Sequence, residues 1–381
     1  MPFRLLHVSD LHLDRAFAGV GCFGEVARRR REGLREALRR AGEAARQTGC
    51  DAVTIGGDLY EHEHAGLDTG RFLVDLFASW QPMRVFLAPG NHDALLPGSL
   101  YERMRWPANV HLFTGATLEP APLADGLSLW GLAHRDPAWS GDPLEGPEVG
   151  SGVHLALFHG AELGGRPPGK SLHGPFQAER IARRGFAAAL CGHYHRRRVD
   201  PVARLLYPGS PEPLTFDEEG GRGPVVVEVS ERGVVEYQPL TLNRWTAVQH
   251  DCDLAGAGSS GEAVERARVA AREALAGLAP ERAMLRLSLR GEVDGDLALD
   301  LPLVEAAVAD ATGAATVRLR DLTSPAIDVD AAATDRTARG AFTRSVLAAI
   351  DREDDPRERA LLGDTLRYGL QALGGGEVGL R

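Results

Sequence analysis

Residues 3–14 read FRLLHVSDLHLD. The apolar run from Phe3 to Val8 has the length and composition of a buried strand, and at Ser9 it gives way to loop-forming residues. Asp10 and His12 are therefore expected on the loop at the strand's C-terminal end. The same grammar repeats outward from this stretch. Residues 25–48 form a predicted helix closed by Gly49, and residues 51–56 a second strand ending in Gly56-Gly57-Asp58. A helix over 67–80 leads to a third strand over 83–87, followed by Gly90-Asn91-His92-Asp93. Such β-α-β-α-β alternation marks the α/β class. Farther on, apolar runs at 127–132, 153–158, 186–191, 204–207, 224–229 and 233–238, with a helix over 177–184, imply a second sheet. Two of those runs end in His159-Gly160 and in Gly192-His193-Tyr194-His195.

Each of these five blocks puts His, Asp or Asn where a predicted strand stops, the edge at which the loops of open α/β sheets converge on ligands. Collected, they give Asp10, His12, Asp58, Asn91, His159, His193 and His195. Seven nitrogen and oxygen donors without a thiolate exceed what one tetrahedral zinc takes, and they suit two divalent ions that share a carboxylate. Two ions so placed clamp a phosphate and activate a water, which makes phosphoester hydrolysis the expected reaction. The adjacent glycines let the chain turn sharply enough for the side chains to meet. Singly, an Asp-x-His or a Gly-Asp is an ordinary turn; the ordered set of five argues for a site. His7, His62, His64, His111, His134, His154, His173 and His250 lack this context and are expected to be ordinary surface or core histidines.

The chain has 381 residues, beyond the roughly 250–300 at which a single core stops growing, so more than one domain is expected. Apolar residues at 44% and charged residues at 25% are the balance of a globular protein rather than a disordered or membrane one. No apolar run nears the roughly 20 residues that a bilayer demands. The stretch Met1 to Val8 is too short for a secretion signal and runs straight into the first loop. Cys22, Cys50, Cys191 and Cys252 are scattered, which argues against a zinc knuckle or a disulfide framework and for a cytoplasmic location. The loosest stretch, 251–261, contains Ala-Gly-Ala-Gly-Ser-Ser-Gly and follows a break at Asn243-Arg244-Trp245. The boundaries expected are a catalytic domain over 1–244, a small α+β cap over 245–330 and a helical tail over 331–381. The cap is read from helix 262–277, strand 283–290, helix 302–312 and strand 316–322, and the tail from helices near 335–350 and 356–373.

Taken in order, the blocks DLHLD, GGDLY, GNHD, FHG and GHYH resemble those of the calcineurin-like metallophosphoesterase superfamily over residues 3 to about 240. Within it the chain is similar to SbcD-type DNA repair exonucleases, including the YhaO-like bacterial branch. That likeness rests on the Arg-rich helix after Asp-Leu-His-Leu, on Tyr207-Pro208-Gly209-Ser210-Pro211-Glu212-Pro213 with Phe216-Asp217-Glu218, and on a cap-like module. The resemblance implies a four-layer α-β-β-α sandwich core with a small α+β cap domain and a C-terminal helical tail. It implies one metal on Asp10, His12, Asp58 and His195, and a second on Asp58, Asn91, His159 and His193, with Asp58 as the bridge and manganese as the preferred ion. His92 is not a ligand in this pattern; it would face the phosphate and stabilise the transition state or protonate the leaving oxygen. Three residues after Asp58, where related archaeal nucleases carry a histidine, this chain has Glu61. Glu61 either hydrogen-bonds His92 and raises its pKa, or is a solvated glutamate in the polar run Glu61-His62-Glu63-His64.

A net charge of -10 argues at first against a nucleic-acid partner. The charge is uneven, however: residues 1–244 carry -3 and the remainder -7, so two divalent ions would more than cancel the first deficit. Lys170 is the one lysine among the 43 basic residues, so contacts to phosphate are expected from arginine, whose planar fork suits it. Arg28 to Arg31 with Arg35, Arg39 and Arg40 either face phosphate or form a solvated helix face with Glu25, Glu32, Glu36 and Glu43. Arg196, Arg197 and Arg198, directly after the last candidate ligand, are expected to contact the DNA backbone. The leading expectation is a two-metal phosphodiesterase using Mn2+ and a metal-activated hydroxide to hydrolyse DNA, as the nuclease subunit in repair and end processing. An SbcC-like ATPase is its expected partner, with homodimerisation open and no membrane association. The alternative keeps the chemistry and changes the substrate to small phosphodiesters, nucleotides or phosphoproteins. A scaffold that retains the fold alone is disfavoured by the complete ligand set.

Overall fold

In the computed structural model, residues 2–146, 149–166, 169, 171–294 and 297–374 are described; Lys170 and the end of the tail lie outside them. The chain opens with β1 (Phe3–Val8), α1 (Gly24–Gln47), β2 (Ala52–Ile55), α2 (Leu67–Ser79) and β3 (Arg84–Leu87). Next come α3 (Leu100–Arg103), β4 (Val110–Leu112), β5 (Glu119–Ala124), β6 (Leu127–Gly131) and β7 (Val153–His159). Then follow α4 (Glu179–Arg183), β8 (Ala188–Gly192), β9 (Arg198–Asp200), β10 (Leu205–Tyr207), β11 (Val225–Val229) and β12 (Val235–Pro239). Beyond these lie β13 (Thr246–Asp253), α5 (Ser260–Ala274), β14 (Ala283–Val293), α6 (Leu301–Thr312), β15 (Thr316–Pro325), α7 (Val329–Thr334), α8 (Ala338–Ile350) and α9 (Pro356–Leu373).

Contacts divide the chain into two units, one of Met1–Gln249, Ala274–Arg286 and Thr312–Arg318, the other of His250–Glu273, Leu287–Ala311 and Leu319–Arg381. The first unit holds two six-stranded sheets, in the orders β12-β11-β1-β2-β3-β4 and β5-β6-β7-β8-β10-β9. In the first sheet β1, β2, β3 and β4 run parallel, so their C-terminal ends share one edge. In the second, β6, β7, β8 and β10 run parallel as well. Strand periodicity decides what faces what. Leu6, Val8, Val53, Ile55, Val85 and Leu87 point outward, onto Leu34, Leu38, Ala41 and Ala45 of α1 and Leu73 and Phe77 of α2. Their neighbours Leu5, Ala52 and Phe86 point inward and meet Leu129, Leu155, Leu157 and Leu190 of the second sheet. The far face of that sheet is covered by α4 and irregular segments around Phe158, Phe176, Ile181 and Phe186. This is the expected four-layer sandwich, with an outer layer that is mostly loop. Each fully buried Leu, Ile or Phe contributes about 1.5–3 kcal/mol.

In the chain beyond Arg244, β13, β14 and β15 form a three-stranded sheet, and α7, α8 and α9 pack around Ala332, Val346, Leu366 and Leu370. Two sequence readings need correction here. The sequence reading placed no strand between the break at 243–245 and the loose stretch 251–261; β13 lies there and runs into that stretch, its buried positions, Ala247 and Cys252, being too small and too few to give a strong apolar pattern. The sequence reading also left β5 unassigned; Pro120 and Pro122 weaken its strand pattern, but β5 is an edge strand, where a missing N–H is tolerated. Among the described residues, no helix is long and apolar enough to cross a membrane.

Candidate metal centre

Parallel β1, β2 and β3 deliver Asp10, Asp58 and Asn91 to one edge, and β7 and β8, paired His159 to Gly192, deliver His159 and His193 to the same place. The two sheets touch there: a Cβ on Gly192 would overlap the Gly56 carbonyl oxygen. A Cβ on Gly90 would overlap Asp58 Oδ1, so no larger residue lets the Asn91 loop approach Asp58 this closely. Asp10 (φ 54°), His12 (φ 49°), Asp58 (φ 51°) and His193 (φ 111°) all sit at positive φ, a rare conformation for residues other than glycine. Strained backbone of this kind collects at functional sites.

The donors face one another. Asp10, His12, Asp58 and His159 are at most 2% exposed, and among the described residues no arginine pairs with either carboxylate. Donor atoms of Asp10, His12 and His195 lie within 4.8 Å of one another, as do those of Asp10, Asp58 and His159. Asp58 Oδ2 stands 3.6 Å from His12 Nε2 and 3.3 Å from His159 Nε2, and Asp10 Oδ1 is 3.9 Å from His195 Nε2. His12 Nε2, His159 Nε2 and Asn91 Oδ1 are buried without a hydrogen-bond partner among the described residues. Buried polar atoms are ordinarily satisfied, so two carboxylates ringed by unsatisfied imidazole and amide donors fit divalent cations. His193 joins through its backbone N–H, which Asp10 Oδ1 accepts at 3.0 Å, while its ring Nε2 meets the Ser171 carbonyl at 3.1 Å.

Each inward-facing ring nitrogen is set by what its other nitrogen does. His159 Nδ1 meets the Gly56 carbonyl at 2.9 Å, His12 Nδ1 meets Glu61 Oε1 at 2.9 Å, and His195 Nδ1 meets Glu218 Oε1 at 2.9 Å. An acceptor on Nδ1 fixes the proton there and leaves Nε2 as the lone-pair donor. Glu61 is not a solvated loop residue. Its Oε2 accepts from His92 Nδ1 at 2.8 Å, so one carboxylate orients two histidines. That hydrogen bond pushes the His92 pKa up, against partial burial, with Asp58 adding to it. Burial would raise Glu61, but the bonds from His12 and His92 outweigh it and hold it well below the usual carboxylate range.

Some contributors escaped the sequence reading. Asp93, quoted in its block without a role, accepts from Gly90 N and Asp58 N through Oδ1 and from Leu59 N and the Tyr101 hydroxyl through Oδ2. It thereby ties the Asp58 and Asn91 loops together. His134 and His173, set aside as ordinary, pack on the site: His134 Nε2 donates to the His159 carbonyl at 2.7 Å, and His173 lies 5.6 Å from the His193 ring. The arginine triplet divides in the structure. Arg197 donates to the Gly223 and Leu240 carbonyls, and Arg198 pairs with Glu162 and Asp200 as β9 begins. Only Arg196 of the three is exposed and without a side-chain partner among the described residues. On α1, Arg28 pairs with Glu25 and Glu32, Arg35 with Asp14 and Asp68, Arg39 with Glu36 and Arg40 with Glu212, while Arg30 is buried beneath Trp245.

Comparison with known proteins places this geometry. The chain is 26% identical over 244 residues to the "Uncharacterized metallophosphoesterase YhaO" of Bacillus subtilis, covering 61% of this chain and 59% of that protein. It is 28% identical over 266 residues to the "DNA double-strand break repair protein Mre11" of Methanopyrus kandleri, covering 62% and 56%. It thus spans less than two thirds of either curated relative. Among solved structures, TT1561 of Thermus thermophilus aligns with a TM-score of 0.37 at 16% identity, covering 63% of this chain and 99% of that one. A dimetal phosphatase from Danio rerio aligns with a TM-score of 0.35 at 12% identity, covering 62% and 99%. The profile of the Calcineurin-like phosphoesterase family matches residues 3–197, which takes in every candidate ligand, and the chain belongs to that family.

Proposed function

We propose that the protein is a two-metal phosphodiesterase that hydrolyses DNA with Mn2+. The observation that carries the two-ion reading is the set of buried, partnerless donor atoms on His12, His159 and Asn91 around the Asp10 and Asp58 carboxylates. One ion would be held by Asp10, His12, Asp58 and His195, the other by Asp58, Asn91, His159 and His193; bound there, they would supply Lewis acidity and a nucleophilic water. His92, with a half-exposed side chain and Nδ1 held by Glu61, keeps its proton to higher pH than a free imidazole and donates from Nε2 to the leaving oxygen. Asp93 holds the Asp58 and Asn91 loops in register during turnover. DNA as substrate is supported by the Mre11 relative and by exposed Arg196 one residue after His195. The partnership with an SbcC-like ATPase rests on resemblance alone.

The two internally paired arginines support a second reading. With Arg197 and Arg198 engaged inside the protein, the triplet offers one free cation among the described residues, Arg196, which suits a small phosphodiester, nucleotide or phosphoprotein. One assay separates the two: Mn2+ with linear, circular and single-stranded DNA alongside a chromogenic phosphodiester, with Asp58→Asn as control. Cleavage of DNA that Asp58→Asn abolishes supports the first reading. Cleavage of the chromogenic ester alone overturns it in favour of the second.

A further inference from the structure

Residues 207–222, YPGSPEPLTFDEEGGR, contain no candidate metal ligand, yet they enclose one. We infer that Glu218 is a positioning residue that fixes the ring of His195 for the cation held with Asp10 and His12; the inference rests on the two-ion reading above. Glu218 Oε1 accepts a hydrogen bond from His195 Nδ1–H at 2.9 Å. Its Oε2 accepts from the Ser210 hydroxyl at 2.5 Å and the Leu214 N–H at 2.9 Å, and Arg222 stands 3.3 Å away. The carboxylate is therefore held by several donors before any ion arrives.

Arg222 grips the same histidine from its backbone. Its guanidinium donates to the His195 carbonyl, to the Ser210 hydroxyl at 2.8 Å and to the Ser210 carbonyl at 3.0 Å, and Ser210 N donates to the His195 carbonyl at 3.2 Å. Gly209 permits this approach. It sits at φ 75°, and a Cβ on it would lie 2.5 Å from the His195 carbonyl oxygen. Ser210, Glu218 and Arg222 are all buried, so water offers no substitute partner for any of them. The segment is anchored on its other flank too: Glu212, fully buried, accepts from Arg244 N and Trp245 N at 3.0 Å each and from Arg40 at 2.5 Å.

The geometry leaves His195 one tautomer, with the proton on Nδ1 and the lone pair on Nε2, the nitrogen 3.9 Å from Asp10 Oδ1. A ligand locked in this way binds its ion more tightly than one that must be reoriented, and removing such an outer partner typically costs about 10- to 100-fold in metal affinity.

The test is calorimetric titration of the full chain with Mn2+ alone, together with nitrogen NMR of the histidine tautomers, on the unaltered protein and on Glu218→Gln. In the unaltered protein His195 is expected as the Nδ1–H form and two Mn2+ bind. In Glu218→Gln one site weakens by about 10- to 100-fold, the other keeps its affinity and the Nε2–H form of His195 appears. Glu218→Gln leaves Arg222 without its buried counter-charge; should that variant fail to fold, Glu218→Asp keeps a charge beside Arg222 while its shorter side chain draws back from His195 Nδ1, and the same two readouts apply. A lowered melting temperature with unchanged Mn2+ affinity and unchanged tautomer would mean that Glu218 only braces the loop, and would overturn the inference. If the unaltered protein binds no Mn2+, the two-ion reading falls by itself, and the tautomer measurement still decides whether Glu218 sets His195.

Discussion

Glu61 and Glu218 make the same bond, 2.9 Å to Nδ1 of His12 and of His195, whose rings lie 5.1 Å apart. Their second oxygens differ. In Glu61 it turns to His92, whose side chain is 42% exposed, while in Glu218 it is enclosed by Ser210, Leu214 and Arg222. One carboxylate therefore links a ligand to a group open to solvent and able to exchange a proton. The other links a candidate ligand to a buried ion network; burial alone would raise the Glu218 pKa, but His195 and Arg222 hold it down at about 2. The same residue type thus meets a solvent-facing histidine in one place and an enclosed network in the other, and the surroundings set the difference.

The largest expected effect removes what both sides serve. Asp58→Asn should abolish Mn2+-dependent turnover and weaken both ions in a metal titration; a variant with two tightly bound ions would break the symmetry between the two sides. Next, His92→Asn should lower kcat by about 10²- to 10⁴-fold with Mn2+ binding retained, as for loss of a general acid. Glu61→Gln should act on both functions of the open side, reducing Mn2+ affinity by about 10- to 100-fold through His12. It should also move the alkaline limb of the rate profile to lower pH, because His92 loses the neighbour that holds its proton. An unchanged profile with unchanged turnover would remove the Glu61–His92 pairing from the mechanism.

Smaller effects sharpen the contrast. Arg196→Ala should weaken DNA binding uniformly across sequences and flatten the salt dependence by about one phosphate contact, with small-ester hydrolysis unaffected. Acid sensitivity of the site must also be separated from that of the core. His7 is fully buried between Thr54 Oγ1 and the Cys191 carbonyl, and burial lowers its pKa to about 4 from an ordinary 6.5. The unfolded chain takes up that proton first as pH falls. Its contribution to stability is therefore intact above about pH 6.5 and declines toward pH 4, by about 1.4 kcal/mol per unit. Denaturant titrations across that window should show the slope, and His7→Gln should flatten it.

Much of this site is legible in the chain because each candidate ligand lies within a few residues of a strand end, and Asp58, Asn91, His159 and His193 stand beside a glycine. Gly90 and Gly192 could be read as loop glycines; that a Cβ on either would collide with Asp58 or with the Gly56 carbonyl depends on a neighbour far away in sequence. Glu61 could be suspected from its spacing to Asp58, although its bond to His12 spans 49 residues. Glu218 and Asp93 stood inside quoted motifs without a role. The arginine triplet divides for the same reason: three adjacent cations read as one patch, but the Gly223 and Leu240 carbonyls engage Arg197 and Glu162 engages Arg198, partners distant in sequence.

By itself the sequence determined the α/β class, the ordered blocks at the strand ends and the donor chemistry, because periodicity and loop-forming residues act over a few positions. Tertiary structure decided which nitrogen of each histidine faces inward, which arginines remain available, and that Glu61 and Glu218 have opposite characters. Those outcomes depend on partners far apart in the chain, 103 residues between His159 and Gly56 and 172 between Arg40 and Glu212, and on the burial that only packing creates.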